Sequence, residues 1–385
     1  WYKGRCLPRQ YGLGSNGYKA RINEDYVSGP LTLTNEELES NRTNMYEDLI
    51  SNKLVTDDYW QERIPDFTKI ITPILSSANW GGQALHSRGN FEGFNNIASK
   101  EKWLEVHGFE HWTEFYTNYG INLQKKFFGY YLKEEQNGWN NHSKVTIQVR
   151  YPNDKFVLRN ENEWPLKNTS WTKFYLSPKD LKLEKESKEI NSKLSYNNLS
   201  DGVTFMTEPF LEDTEITGPV ASKLFLSSET EDSDLFLILR LFNEQEQEIT
   251  FQGALDPKTP LAQGWLRASH RKTDDHLSKL YRPYHTHEKV ELLIPGKVYE
   301  VDVEIWPTSI VVPKKYKIGL TIKGQDYVNQ SGSGSTLPNM NKFSGCGPFL
   351  HDDPNDRPDD IFGKKTTLHF SIDEKPYLLL PIIKS

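Results

Sequence analysis

Apolar positions along the chain follow three successive patterns. In TNEELESNRTNMYEDLISNKLV (34–55), Leu38, Met45 and Leu49 fall at helical intervals and can share one stripe. Thr34, with Glu37 three residues on, is a capping box, so a helix is predicted over 34–55. Pro65 ends any helix that runs on through DDYWQERIPD. Residues 1–30 are rich in Gly, Tyr and Arg without a period and read as loop.

From Lys69 the pattern alternates. KIITPIL (69–75) reads as a buried strand, RGNFEGFNNIAS (88–99) as a short helix and KWLEVHG (102–108) as a second strand. NLQKKFFGYYLK (122–133) follows as a helix with an aromatic stripe. Strand, helix, strand, helix with short links implies a parallel sheet covered by helices.

Beyond about residue 144 the helical signal fades. SKVTIQVRY, WTKFYLS, SKLFLSS, DLFLILRLF, KVYEVDVEIWP, YKIGLTIKG and TTLHFS read as strands. In KVYEVDVEIWP, Tyr299, Val301, Val303 and Ile305 alternate with Glu300, Asp302 and Glu304, giving a dry face and a wet face. Many such strands between Pro/Gly turns indicate a β-sandwich of jelly-roll type. KDLKLEKESKEINSKL (179–194) reads as a solvated connection.

Length and composition narrow the function classes. A chain of 385 residues exceeds what one hydrophobic core usually serves. Its net charge of −7 gives no basic face for nucleic acid. Nor does any apolar run reach the length of a bilayer span. Cys6 and Cys346 could form one bridge at most. Sequons at Asn41, Asn141, Asn168, Asn198 and Asn329 would suit a secreted glycoprotein, but a chain so rich in Asn carries most of them by chance, so the compartment stays open, with a soluble cytoplasmic protein slightly favoured.

No G-x-S-x-G elbow, P-loop or C-x-x-C occurs, and GLGSNG (12–17) and SGSGS (331–335) read as flexible loops. His285 and His287 in YHTHEK, with His351 in HDDPNDRPDD, have metal-ligand spacing. Asp and Pro at that density more often build turns, and no metal or other cofactor is expected. LEVHGFEHWTEFY (104–116) is the strongest local candidate. His107 and His111 fall in the turn after a strand end, where α/β proteins collect functional groups. The bland alternative is two histidines bonded to loop carbonyls.

The stretches ILSSANWGGQALHSRGNFEGF, KWLEVHGFEHWTEFY and LQKKFFGYYLK resemble the cocaine esterase / Xaa-Pro dipeptidyl-peptidase family of α/β-hydrolases (CocE/NonD type). GWLRASHRK, YRPYHTHEK, VYEVDVEIWPTSIVV and HDDPNDRPDDIFGKKTTLHF resemble that family's C-terminal domain, so the resemblance runs the length of the chain. It implies the C-terminal part of an α/β-hydrolase with a helical cap, followed by an all-β jelly-roll sandwich of galactose-binding-like type. The implied borders are 1–66 for the cap, 67–143 for the hydrolase part and 144–385 for the sandwich.

The resemblance also implies a Ser–acid–His triad whose serine elbow precedes the cap, so the nucleophile is expected on a segment or chain outside these residues. The family's acid follows a Trp at a strand end. Trp80 matches, but Gly82 stands where the Asp would be, and Glu92, Glu110 and Glu114 are substitutes that sequence does not choose among. Laying HGFEHW on the family's histidine turn makes His111 the catalytic base and His107 its neighbour; in the other register the two exchange roles. Trp80 and Trp112 would flank a substrate pocket. The expected partners are therefore a small ester or amide, or a short peptide, and the missing N-terminal segment; a homo-oligomer is left open. A peptidase needs an acidic anchor for a free amine, and none is located. Against this serine-hydrolase reading stand a pseudo-enzyme and a non-catalytic carbohydrate- or ligand-binding sandwich in which an exposed Trp306 stacks on a sugar.

Overall fold

The computed structural model describes residues 14–16, 25–26, 29–40, 45–109, 111–188, 191–254, 256–329 and 350–384. Cys6, Cys346, the Asn41 sequon, half of the 12–17 loop and the 331–335 loop lie outside them. Near the N-terminus α1 (Asn35–Ser40) and α2 (Met45–Ser51) fall within the expected helix, with 41–44 between them outside the described residues, and a short α3 (Asp58–Gln61) follows. The capping box forms as the spacing dictates: Glu37 N donates to Thr34 Oγ1 at 3.2 Å, and Thr34 N to Glu37 Oε2 at 2.8 Å.

Four strands make the first sheet in the order β1 (Ile74–Asn79), β2 (Lys102–His107), β3 (Val145–Tyr151), β4 (Lys155–Glu161). β1, β2 and β3 run parallel, and β4 returns antiparallel. The first strand starts later than KIITPIL suggested. Pro73 lacks a donor for the ladder, and Ile71 before it is 74% exposed. The change of sheet is also later than the change of pattern at 144, since β3 and β4 belong with β1 and β2 and the break falls between Glu161 and Thr169. A strand pattern cannot say which sheet a strand joins.

Alternation along β2 sends its side chains to two covers. Leu104 and Val106 pack with Ala78, Trp80, Phe91 and Phe94 beneath α4 (Ser87–Asn96). Trp103 points the other way, into a cluster with Leu123 and Phe127 of α6 (Asn118–Lys133) and with Trp139. Between β2 and α6 lies the short α5 (His111–Phe115).

The remaining strands form one hydrogen-bonded network of twelve: β5 (Thr169–Ser177), β6 (Lys182–Glu184), β7 (Ser192–Asn197), β8 (Val203–Thr207), β9 (Thr214–Ser228), β10 (Asp234–Phe242), β11 (Glu248–Ile249), β12 (Ala262–Arg267), β13 (Tyr299–Val312), β14 (Lys317–Lys323), β15 (Lys365–Phe370) and β16 (Tyr377–Ile383). A four-residue α7 (Asp359–Phe362) precedes β15. The charged stretch 179–194 is more than a connection, because β6 within it pairs with both β5 and β8. β13 alternates as its sequence predicts, with Val301, Val303 and Ile305 buried. Leucines of β10, isoleucines of β14 and Phe205 of β8 share a core with Ile216, Val220 and Leu224 of β9 and Leu378 of β16. These strands are distant in the pairing order, so the network folds over onto itself.

Buried polar groups tie the two regions together. Arg150 of β3 donates to the Ser309 carbonyl (2.9 Å), the Leu261 carbonyl (3.0 Å) and Thr308 Oγ1 (2.8 Å). Burial without a carboxylate in contact pushes its guanidinium down to about 9. Arg88 of α4 forks onto Glu304 of β13, both nitrogen–oxygen distances from Nε being 3.0 Å.

Candidate active site

β1 and β2 end side by side, Asn79 opposite His107, and the parallel ladder closes with Trp80 N on the His107 carbonyl at 2.8 Å. The strand register places Ser77 beside Glu105. Glu105 and His107, two apart on one strand, share the α6 face and are 2% and 3% exposed.

A buried carboxylate must collect donors. Glu105 Oε2 takes the Ser77 hydroxyl hydrogen in a short bond and lies 2.9 Å from His107 Nδ1. Tyr119 of α6 approaches Oε1 at 3.5 Å. Burial, with Glu105 and Glu114 nearby, raises the Tyr119 phenol far above its ordinary range, so it stays a donor. With Nδ1 facing a carboxylate, a neutral His107 carries its hydrogen there and leaves a lone pair at Nε2. Among the described residues that buried Nε2 has no hydrogen-bond partner.

Both groups line a cleft of about 490 Å³ together with Ser77, Trp112, Glu114 and aromatics of α5 and α6. That size lies within the range of small-molecule sites. Among the described residues no arginine or lysine lines it, so its two carboxylates repel an anionic guest.

The turn above His107 is braced from three sides. Asn79 Nδ2 donates to the Phe109 carbonyl at 2.7 Å, and Gly108 N to Gln148 Oε1 at 3.0 Å. Gln148 Nε2 in turn donates to Glu114 Oε1 at 2.9 Å. The two glycines of NWGG serve this packing. A Cβ on Gly81 would lie 2.5 Å from the Phe109 carbonyl oxygen, and one on Gly82 would lie 2.7 Å from Asn79 Oδ1. Ala254 N also reaches the Gly81 carbonyl at 2.7 Å, bringing a loop of the strand network onto the same point. The absent side chain at 81 thus leaves room for three converging chain segments, and the one at 82 for the Asn79 amide that braces the turn.

The expected site residues disperse. His107 sits in the cleft wall, and Trp112 lines the cleft from α5. His111 opens α5, four residues beyond His107. Trp80 does not line the cleft. It is 3% exposed, its indole donates to the Gln148 carbonyl at 2.7 Å, and it packs on Phe91 and Trp164. Of the substitute acids, Glu92 pairs with Arg282, Glu114 bonds Gln148, and Glu110 lies outside the described residues. Glu105, Ser77 and Tyr119 were missed. The signal for Glu105 was present, since Glu and His at i and i+2 of a predicted strand must share a face.

The other sequence candidates resolve differently. His285 Nε2 bonds the Asp302 carbonyl at 2.9 Å, and His287 Nδ1 lies 3.1 Å from His270 Nδ1. Asp353 Oδ1 caps a turn by accepting from Asn355 N, and Asp356 pairs with Arg267, which is the turn-and-ion-pair role. Trp306 is half-buried edge-on to Trp265. The asparagine of the Asn198 sequon is fully buried. Among the described residues no helix is long and apolar enough to cross a membrane.

Known proteins share this architecture. A CocE/NonD family hydrolase of Staphylococcus aureus superposes with a TM-score of 0.80 at 27% identity, covering 91% of this chain and 61% of its own. A Mycobacterium bovis protein named as a candidate serine esterase is 28% identical over 132 residues, which is 32% of this chain and 19% of that protein. An aminopeptidase of a marine-sediment Thaumarchaeota archaeon shares the fold, with a TM-score of 0.61 at 13% identity, 88% of this chain and 60% of that one. The chain spans about three-fifths of these structures' length and about a fifth of the mycobacterial protein's. Residues 137–356 match the family described as the X-Pro dipeptidyl-peptidase C-terminal non-catalytic domain, a stretch that begins after the cleft residues. The chain belongs to this family, within the wider group of CocE/NonD hydrolases and Xaa-Pro peptidases.

Proposed function

We propose that these residues supply the acid–base part of a serine hydrolase acting on uncharged or cationic esters or amides. The observation that carries this reading is the Glu105–His107 pair: a buried carboxylate on Nδ1, and an unpartnered Nε2 lone pair in the wall of a cleft. It lies at the carboxyl ends of parallel strands. In this register His107 is the base and His111 its neighbour, the exchange of roles that the sequence left open.

The chemistry follows from those atoms. A serine hydroxyl donating to Nε2 loses its proton to His107 as its oxygen attacks the carbonyl carbon of the substrate. His107 then returns the proton to the leaving alcohol or amine as the bond to it breaks. Glu105 holds the Nδ1 hydrogen in place and stabilises the imidazolium between the two steps. Ser77 is not that nucleophile, because its hydroxyl is spent on Glu105.

The nucleophile therefore comes from further polypeptide. The open edge of β1, with Ile71 and Phe128 exposed nearby, supports a neighbouring strand there. The first sheet, with α4 and α6 on opposite faces, supports part of an α/β-hydrolase; the folded-over twelve-strand network supports a jelly roll. The test is hydrolysis of p-nitrophenyl acetate. The 385-residue chain alone is expected to give no more than an imidazole background and no fluorophosphonate label. The full-length polypeptide carrying it is expected to label at a serine outside these residues. Labelling at a serine within them overturns the reading, and an unlabelled, inactive full-length polypeptide favours the pseudo-enzyme.

A further inference from the structure

A second cleft, of about 570 Å³, lies between the N-terminal helices and the strand network and shares no lining residue with the first. Leu49, Val55, Trp60 and Ile64 form one wall, and Phe236 and Trp265 the other. Both walls are set. Trp60 donates its indole hydrogen to the Asn52 carbonyl at 2.7 Å, and Trp265 packs edge-on against Trp306 with ring centroids 5.9 Å apart.

One polar group is presented between these rings. His351 packs on Phe236 at 5.3 Å and on Trp265 at 6.4 Å. Its Nδ1 lies 2.9 Å from Asp326 Oδ1, while Asp326 Oδ2 accepts the His351 backbone hydrogen at 2.6 Å. The carboxylate fixes the hydrogen on Nδ1, so a neutral His351 offers a lone pair at Nε2.

The charges around the cleft are already matched. Arg267 forks onto Asp234 and reaches Asp356, Arg357 bonds Asp234, and Lys53 bonds Asp356. With Asp326 behind His351, three cations face three carboxylates among the described residues, so none of these charges favours an ionic guest. His270 and His287 at the rim are held below the ordinary imidazole range, first by burial, and add no charge near neutrality.

We propose that this cleft binds an uncharged, flat, ring-bearing small molecule whose hydroxyl donates to His351 Nε2. The aromatic walls take the ring and the oriented imidazole selects the donor. The site is independent of the hydrolase reading, because it shares no residue with Glu105 and His107.

Calorimetric titration of the purified chain with 2-naphthol and with 2-methoxynaphthalene, which lacks the donor, tests it. 2-Naphthol is expected to bind about tenfold more tightly, since an unmet acceptor costs about 1–3 kcal/mol. His351→Phe is expected to abolish that preference. Ile64→Arg alters a wall residue that is 50% exposed, so it folds normally, and it is expected to weaken both ligands about tenfold or more. Trp112→Ala in the other cleft is expected to change neither. No binding, equal affinity for the two probes, indifference to Ile64→Arg, or loss in Trp112→Ala would each overturn the proposal.

Discussion

The two strand regions of this chain solve the same problem unequally. The twelve-strand network folds over itself, so leucines of β10 and valines of β13 share a core with apolar residues of the network's other strands. The four-strand sheet ends at β1, whose outer edge has no strand beside it among the described residues. Its polar cluster is likewise incomplete, with Glu105 fully engaged and His107 Nε2 unmet. The difference is one of closure: the network buries its own apolar faces, while the sheet leaves one strand edge and one buried acceptor unmet among the described residues.

Four measurements would break or sharpen that contrast. The largest effect is expected at the open region. In the full-length polypeptide, His107→Ala should lower kcat by about 10³-fold or more with KM little changed, and His111→Ala should do less. If His111→Ala is the more damaging, the base belongs to the register first suggested by the family resemblance. In the closed region, Phe205→Ala removes a fully buried ring of the shared core. It should cost about 3–5 kcal/mol in denaturant unfolding. Ile71→Ala, at the exposed approach to β1, should stay within about 0.5 kcal/mol.

The junction comes next. Arg150→Met takes a side-chain donor from the Ser309 carbonyl, while the Leu261 carbonyl keeps Thr308 and Gln83, and should cost about 1–3 kcal/mol. Calorimetry should then resolve two transitions, the four-strand sheet melting first; one unsplit transition would show that Arg88–Glu304 and the apolar contacts couple the regions without it. The smallest effect concerns pH. Burial lowers His285, which Arg88 and His270 depress further and Asp302 partly restores. Its unfolded form titrates near ~6.5, so below that value the unfolded chain binds more protons and stability falls as pH drops. The melting temperature should decline modestly below pH 6.5, and His285→Gln should flatten the decline.

Much of this was legible in the chain. The Thr34–Glu37 cap, the alternation of β13 and the helix expected at 122–133, which begins one turn earlier at Asn118, depend on neighbours a few residues apart, and local spacing reports them directly. The sheet membership of β3 and β4 was not legible, because a period of two describes a strand and says nothing about its partner. Nor was the burial of Trp80. A tryptophan at a strand end reads the same whether Phe91 and Trp164 cover it or a substrate does.

By itself, then, the sequence determined the type of most helices and strands, which faces are apolar, and that two histidines fall at or just after a strand end. Only the tertiary structure decided which carboxylate meets which histidine. Glu105 and His107 share a face by local geometry, but their importance comes from burial. Beside Ser77 and under Tyr119 of α6, both lose water, and His107 Nε2 is left unmet among the described residues, which is why it is the atom proposed to react. That choice rests on contacts between segments distant along the chain, which no local pattern encodes.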